Sequence, residues 1–112
     1  MFDISPRDLA IVRDILHRHV PDHEVWAFGS RTKGTARRYS DLDLAIITDT
    51  PLSFELSGGM QEDFSESDLP FRVDILDWAT TQDNFRRLVE RNKVVVQSAS
   101  PTGLSSGEAA CL

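Results

Sequence analysis

Residues 28–44 have the sequence Phe-Gly-Ser-Arg-Thr-Lys-Gly-Thr-Ala-Arg-Arg-Tyr-Ser-Asp-Leu-Asp-Leu. Gly29 and Ser30 form a turn of small residues, where the backbone can approach a phosphate closely. Ten residues later, Asp41 and Asp43 occupy alternate positions of an apolar run. Alternate side chains of a strand project from one face. A phosphate-contacting turn followed by paired carboxylates predicts a site for a nucleoside triphosphate with magnesium, and therefore nucleotidyl transfer.

The spacing of the two aspartates suits a metal site. In an extended strand, Asp41 and Asp43 lie ~6.6 Å apart along the axis, while Leu42 and Leu44 turn towards a core. Two carboxylates held this close raise each other's pKa unless a cation lies between them. A pair of Mg²⁺ ions roughly 3.5–4 Å apart would satisfy them and would suit phosphoryl chemistry. A lone Asp-x-Asp is more often a solvated strand edge, so the prediction depends on the combination with the Gly-Ser turn.

A third carboxylate is expected from a later strand. Asp74 lies between the β-branched residues Val73 and Ile75, so its side chain points away from their face. If this strand neighbours the one that carries Asp43, Asp74 completes a set of three. Asp77 is a weaker rival, because its position at the strand end favours a capping role.

The surrounding sequence alternates helical and extended patterns. Apolar residues recur every three or four positions in the helical segments and every second position in the extended ones. We expect helices at 6–19, 53–65 and 82–92, strands at 24–28, 41–47, 71–76 and 94–97, and a short helix or loop at 30–36. Gly58 and Gly59 should interrupt the second helix, since each costs about 1 kcal/mol relative to alanine. On one face of the last helix we expect Phe85, Leu88 and Val89.

Composition limits the class of protein. The chain has 112 residues, a net charge of -6 and one cysteine, Cys111. The length predicts one domain at 1–97, and the Ser, Gly, Pro and Ala content from Ser98 onward predicts a disordered tail at 98–112. The single cysteine excludes a disulfide framework and fits a cytoplasmic location. No apolar run is long enough to cross a bilayer, and no leader pattern opens the chain. The acidic balance argues against direct binding of nucleic acid, although four basic residues precede the aspartate pair: Arg31, Lys33, Arg37 and Arg38.

Other residues have simpler interpretations. His17 and His19 are two positions apart, whereas two ligands on one helix face need a spacing of three or four. Trp26 and Trp78 border predicted strands and are interpreted as packing anchors. Tyr39 is either close to the nucleotide or part of the loop packing.

The motif resembles a known family. Gly29-Ser30, the ten-residue gap, Asp41-Leu42-Asp43 and the downstream Asp74 are similar to the signature of the minimal nucleotidyltransferases of the polymerase-beta superfamily. The segments 25–31 and 73–78 resemble most closely the small catalytic subunits of two-component systems, in which the partner is an all-helical HEPN-type protein. The resemblance covers the chain from the first predicted helix to about residue 97.

The resemblance implies an α/β (α+β) fold, with a mixed sheet of about four strands flanked by helices. It implies ATP as the donor and two Mg²⁺ ions held by Asp41, Asp43 and Asp74, which are the catalytic residues. Gly29 and Ser30 would bind the triphosphate, and Arg31 and Lys33 would neutralise the leaving pyrophosphate. The acceptor expected is a tyrosine hydroxyl of a HEPN toxin, with this chain as the antitoxin, in a hetero-oligomer or as a homodimer. Two alternatives stay open, namely a non-catalytic antitoxin that acts by occlusion and transfer to a small-molecule hydroxyl.

Overall fold

The computed structural model describes residues 2–34, 37 and 40–99. Within them, strands and helices largely alternate along the chain. The elements are α1 Pro6–His19, β1 Val25–Phe28, α2 Ser30–Lys33, β2 Leu42–Ile46, α3 Phe54–Ser65, β3 Val73–Asp77, a 3-10 turn Trp78–Thr80, α4 Asp83–Asn92 and β4 Val94–Gln97.

The four strands form one mixed sheet in the order β3-β2-β1-β4. β1 is antiparallel to both β2 and β4, whereas β2 and β3 are parallel. Two parallel neighbours need a crossover connection, and α3 provides it. The predicted α/β class with a mixed sheet of about four strands is confirmed.

Helix α1 has the start signals expected from its sequence. The Ser5 hydroxyl accepts a hydrogen bond from the Asp8 amide at 3.1 Å, and Pro6 occupies the first helical turn, where its missing N–H has no consequence. The apolar face then buries Val12 and Leu16 completely. Because this face packs on the sheet, tertiary packing fixes the helix in place.

The sheet has a different environment on each side. On one side α1 and α3 cover the main core, which includes the fully buried residues Leu42, Leu44 and Ile46 of β2. On the other side α4 contributes Val89 to a smaller cluster with Trp26 and Ala45. The odd-numbered residues of β2 belong to this second side, because neighbouring residues of a strand alternate between faces.

The expected interruption of α3 is wrong, because the helix continues through Gly58 and Gly59. Its start is capped by the Ser53 hydroxyl, which accepts from the Leu56 amide at 3.1 Å. Met60 and Phe64 are buried in the main core. Burial of two large side chains offsets the helix propensity lost at the glycines.

Other boundaries differ from expectation by one to a few residues, which is usual for element ends. The third strand begins two residues later than predicted, at Val73. In α4, Val89 is buried, but Phe85 and Leu88 are 39% and 44% exposed, so only part of the predicted face packs.

No helix of the described residues is both long and apolar enough to cross a membrane. Ser98 and Ala99 are exposed. The expectation of a disordered tail falls mostly on residues 100–112, which lie outside the described part of the chain, as do Ala36, Arg38 and Tyr39.

Candidate active site

The turn after β1 lies directly against a carboxylate of β2. The last residue of β1, Phe28, pairs with Asp43 across the antiparallel ladder. Gly29 follows with φ 85° and ψ -155°, a conformation available essentially to glycine alone. A Cβ at this position would overlap Oδ2 of Asp43. Glycine is therefore needed here both for the backbone conformation and for the space that the carboxylate occupies.

Asp43 and Asp74 share one face of the sheet. They are register partners in the parallel pairing of β2 and β3, and partners in a ladder project to the same side. Burial raises the pKa of Asp43, and the negative charges of Asp74 and Asp41 raise this pKa further. The three carboxylates are therefore close enough to repel one another, as the sequence led us to expect of a site that takes a cation.

A guanidinium group lies between two of these carboxylates. Nη2 of Arg72 is 3.2 Å from Oδ2 of Asp41, and its Nε is 3.7 Å from Oδ1 of Asp74. The sequence interpretation missed this residue. A signal was present, because Arg72 stands two positions before Asp74 and therefore on the same face of an extended chain.

The fit of these residues to a metal ion depends on their spacing and on their donor atoms. Among residues 2–34, 37 and 40–99, no group of three His, Cys, Asp or Glu side chains is gathered closely enough to hold one. The donor chemistry nevertheless fits Mg²⁺, since all the predicted ligands are carboxylate oxygens. Arg72 is a cation that already bonds two of them. A metal ion bound here would therefore lie beside the positive charge of Arg72 and compete with it for these two carboxylates.

The four predicted phosphate contacts differ in where the structure places them. Gly29, Ser30 and Lys33 are at or next to the turn, and Lys33 is exposed. The Gly29 carbonyl accepts from the Thr32 amide at 3.1 Å, which closes the turn.

Arg31 has contacts within the fold that its sequence did not indicate. Its side chain is buried, with 5% exposed, and it donates to the carbonyl oxygens of Ser40 at 3.0 Å and Asp3 at 2.8 Å. The guanidinium carbon also lies 4.1 Å from the ring centre of Phe71. Since these contacts join the loop before β2 to the N-terminal segment, Arg31 has a role in the fold, and its predicted contact with phosphate stays a prediction.

Asp77 has the capping role that the sequence favoured. Its Oδ1 accepts from the Ala79 amide at 3.2 Å and from the Thr48 hydroxyl at 2.5 Å, and its Oδ2 accepts from the Leu52 amide at 2.7 Å. With its oxygens engaged in this way, Asp77 closes the end of β3.

The remaining singled-out residues also have structural contacts. Trp26 and Trp78 pack edge to face with ring centres 5.0 Å apart, as expected of packing anchors. His19 contacts Asp63 of α3 at 2.6 Å, which joins the two helices on the opposite side of the sheet from the aspartates.

A cavity adjoins the glycine turn. It measures about 190 Å³, and its lining includes Phe28, Gly29, Lys33, Phe85 and Leu88. The Phe28 and Phe85 rings meet edge to face at 5.9 Å. A larger cavity of about 540 Å³ lies between α1 and α3, and its lining includes none of the predicted site residues. The smaller cavity is the one that belongs with the candidate site.

Comparison with known proteins gives a sequence family. Residues 9–100 match the family described as nucleotidyltransferase domain. A relative from Haemophilus influenzae, named probable protein adenylyltransferase MntA, is 56% identical over 100 residues, which cover 89% of this chain and 88% of the relative.

Solved structures share the fold. A toxin-antitoxin complex with AMP-PNP contains a chain that aligns with a TM-score of 0.68 at 20% identity, over 85% of this chain and 76% of that one. A complex of a tri-AMPylated Shewanella oneidensis HEPN toxin with an MNT antitoxin gives a TM-score of 0.63 at 17% identity, over 83% and 71% of the two chains. At such identities the likeness establishes the fold alone.

Proposed function

We propose, from the premise that this chain belongs to the nucleotidyltransferase domain family, that it transfers AMP from ATP to a tyrosine hydroxyl of a HEPN-type partner. In this proposal the chain is the antitoxin of the pair. The name of the 56% identical relative supports a protein as the acceptor. One solved complex contains a chain with the fold of this protein together with a tri-AMPylated HEPN toxin. This complex supports AMP as the group that is transferred and a HEPN protein as the acceptor. A reaction that uses ATP is consistent with the expected cytoplasmic location.

One observation carries the proposal, namely the position of Asp43. This carboxylate lies against the Gly29 turn and beside Asp74, in surroundings that raise its pKa. A carboxylate that is partly buried among like charges is costly to a fold unless a cation neutralises it. The neighbouring turn is a place for the phosphates that would accompany such a cation.

The reaction is an in-line displacement at the α-phosphorus of ATP. The acceptor hydroxyl gives its proton to water as its oxygen forms a bond to this phosphorus, the bond from the phosphorus to the α-β bridging oxygen breaks, and pyrophosphate leaves. Bound Mg²⁺ would neutralise the phosphates and make the acceptor hydroxyl a better nucleophile. Catalysis would otherwise come from positioning, because the proposed displacement is direct and passes through no covalent enzyme intermediate.

Each residue of the candidate site has a separate role in the proposed reaction. The backbone N–H groups at Gly29 and Ser30, with the Ser30 hydroxyl, would bind the triphosphate, and Lys33 would neutralise the leaving pyrophosphate. Asp41 and Asp43 would ligate both ions. Asp74 would hold the one nearest the acceptor hydroxyl. The cavity beside Gly29 and Lys33 gives the nucleoside a place next to the turn.

The test is label transfer. The purified chain is incubated with its HEPN partner, Mg²⁺ and ATP labelled on the α-phosphate. We expect labelled partner with the wild type, a loss of at least about a hundredfold with Asp43→Asn, and wild-type labelling with Asp49→Asn, an exposed acid outside the site. A tyrosine-to-phenylalanine change in the partner should also remove the label. Equal labelling by wild type and Asp43→Asn would contradict the assignment of the site.

A growth assay separates catalysis from occlusion. Under the proposal, Asp41→Asn/Asp43→Asn no longer protects cells from the toxin although it still binds it. Full protection by this double variant would show that neutralisation needs only binding, and would replace the enzymatic proposal by the occlusion alternative.

A further inference from the structure

The backbone places Arg72 opposite Asp41. The carbonyl of Arg72 accepts a hydrogen bond from the Leu42 amide at 2.8 Å, which extends the parallel ladder by one residue before β3. The register pairs Leu42 with Val73 and Asp43 with Asp74, so Arg72 stands beside Asp41 on the aspartate face of the sheet. Its pairing with two carboxylates therefore follows from the register as well as from the side-chain contacts.

The two ion pairs of Arg72 can break without a large cost in stability. The side chains of Arg72, Asp41 and Asp74 are 74%, 41% and 50% exposed. Ion pairs this open to water contribute little to stability and are weakened by salt. Arg72 can consequently leave the carboxylates without loss of the fold. While it stays, it bonds two of the three side chains that would have to bind a metal ion.

A bound nucleotide would change which anionic groups Arg72 pairs with. A divalent cation that arrives alone competes with the guanidinium for the same oxygens and is repelled by its charge. A bound nucleoside triphosphate offers the guanidinium a new set of anionic oxygens, with which arginine pairs well. Arg72 would then free Asp41 and Asp74 at the moment when the metal is needed.

We infer that Arg72 is a positioning residue, a built-in counter-cation that couples divalent-metal binding to nucleotide binding. It holds Asp41 and Asp74 in the nucleotide-free protein, so that metal binds tightly only together with the triphosphate. This inference rests on the proposed function, because it uses the same three aspartates as ligands.

The experiment measures Mn²⁺ binding to the metal-free full chain, by the electron paramagnetic resonance of free Mn²⁺, with and without a non-hydrolysable ATP analogue. Without nucleotide, Arg72→Gln should bind Mn²⁺ about tenfold more tightly at low salt, as expected for removal of one positive charge about 6 Å from a divalent ion in water. The gain in affinity that the analogue produces should shrink in this variant. By linkage, the effect of Mn²⁺ on analogue binding should shrink equally.

Two variants serve as controls. Arg72→Lys keeps the charge and should behave nearly as wild type without nucleotide. Arg7→Gln removes the same charge from α1, on the other side of the sheet, and should leave Mn²⁺ binding unchanged. Thermal midpoints should be similar for all the variants because both arginines are exposed.

The outcomes distinguish the two proposals. Equal Mn²⁺ affinity of wild type and Arg72→Gln without nucleotide, or weaker binding by the variant, would overturn the role of Arg72 while the analogue-dependent site stands. If even the wild type binds no Mn²⁺ together with the analogue, the proposed function itself fails, and the role of Arg72 fails with it.

Discussion

Replacement of Gly29 by alanine tests the geometry on which the candidate site depends. The φ of 85° and ψ of -155° at this residue cost alanine about 1–3 kcal/mol. The new Cβ would overlap Oδ2 of Asp43, so the carboxylate must leave its rotamer at a further cost of about 1 kcal/mol. We therefore expect Gly29→Ala to lower the free energy of unfolding by roughly 2–4 kcal/mol, a decrease in the thermal midpoint on the order of 10–20 °C for a domain of this size.

A neighbouring glycine provides the matched control. Gly34 also has a positive φ, of 74°, but a Cβ there would meet no atom of the described residues within 4 Å. Gly34→Ala should therefore lower the free energy of unfolding only by the cost of a positive φ for alanine, about 1–2 kcal/mol. Urea unfolding at equilibrium gives both values, and label transfer should decrease strongly only for Gly29→Ala because only this change displaces Asp43.

A double-mutant cycle isolates the contact. Asp43→Ala removes the atoms that the new Cβ would meet, so Gly29→Ala should cost about 1 kcal/mol less in that background. Strict additivity of the two changes, or equal destabilisation by Gly29→Ala and Gly34→Ala, would refute the close approach of the turn to Asp43.

Three further predictions concern residues other than Asp41, Asp43 and Asp74. Arg31→Lys should destabilise the chain by about 1–3 kcal/mol in urea unfolding, since lysine cannot reproduce the guanidinium contacts. The affinity of this variant for an ATP analogue, measured by fluorescence titration, should stay within about twofold of the wild type. The hydrogen bond from His19 lowers the pKa of Asp63, so Asp63→Asn should lower the thermal midpoint at neutral pH. The difference between wild type and variant should fade as the pH falls through the lowered pKa. A difference that does not depend on pH would contradict this. Gly58→Ala should raise the free energy of unfolding by about 0.5–1 kcal/mol, because the site is helical and open, and a decrease would show that Gly58 has a packing role.

Much of the fold was predictable because local patterns and tertiary packing agree. The Ser5-Pro6 start and the apolar repeat of α1 gave its limits, and alternation in β2 identified its buried side as Leu42 and Leu44. The continuity of α3 was not predictable from propensity, since its two glycines argue against a helix and the burial of Met60 and Phe64 in the core decides the outcome.

The candidate site shows a similar division. Motif spacing was enough to bring together Gly29, Asp43 and Asp74, because each lies in or beside a strand whose side-chain direction is fixed by alternation. It did not indicate the structural contacts of Arg31, whose long side chain reaches back to the Asp3 carbonyl, which is distant in sequence. It also missed Arg72, since the pairing with Asp41 requires knowledge of the register between β2 and β3.

The parallel pairing of β2 with β3 has a consequence for how activity depends on folding. A slip of one residue in this ladder would move Asp74 to the opposite surface, and no hairpin turn fixes the alignment, since the chain between the two strands passes through α3. Catalytic competence should therefore appear only when this long-range docking is complete. A newly made or partly unfolded chain would have no partial activity, and turnover would be a sensitive measure of the correctly aligned population.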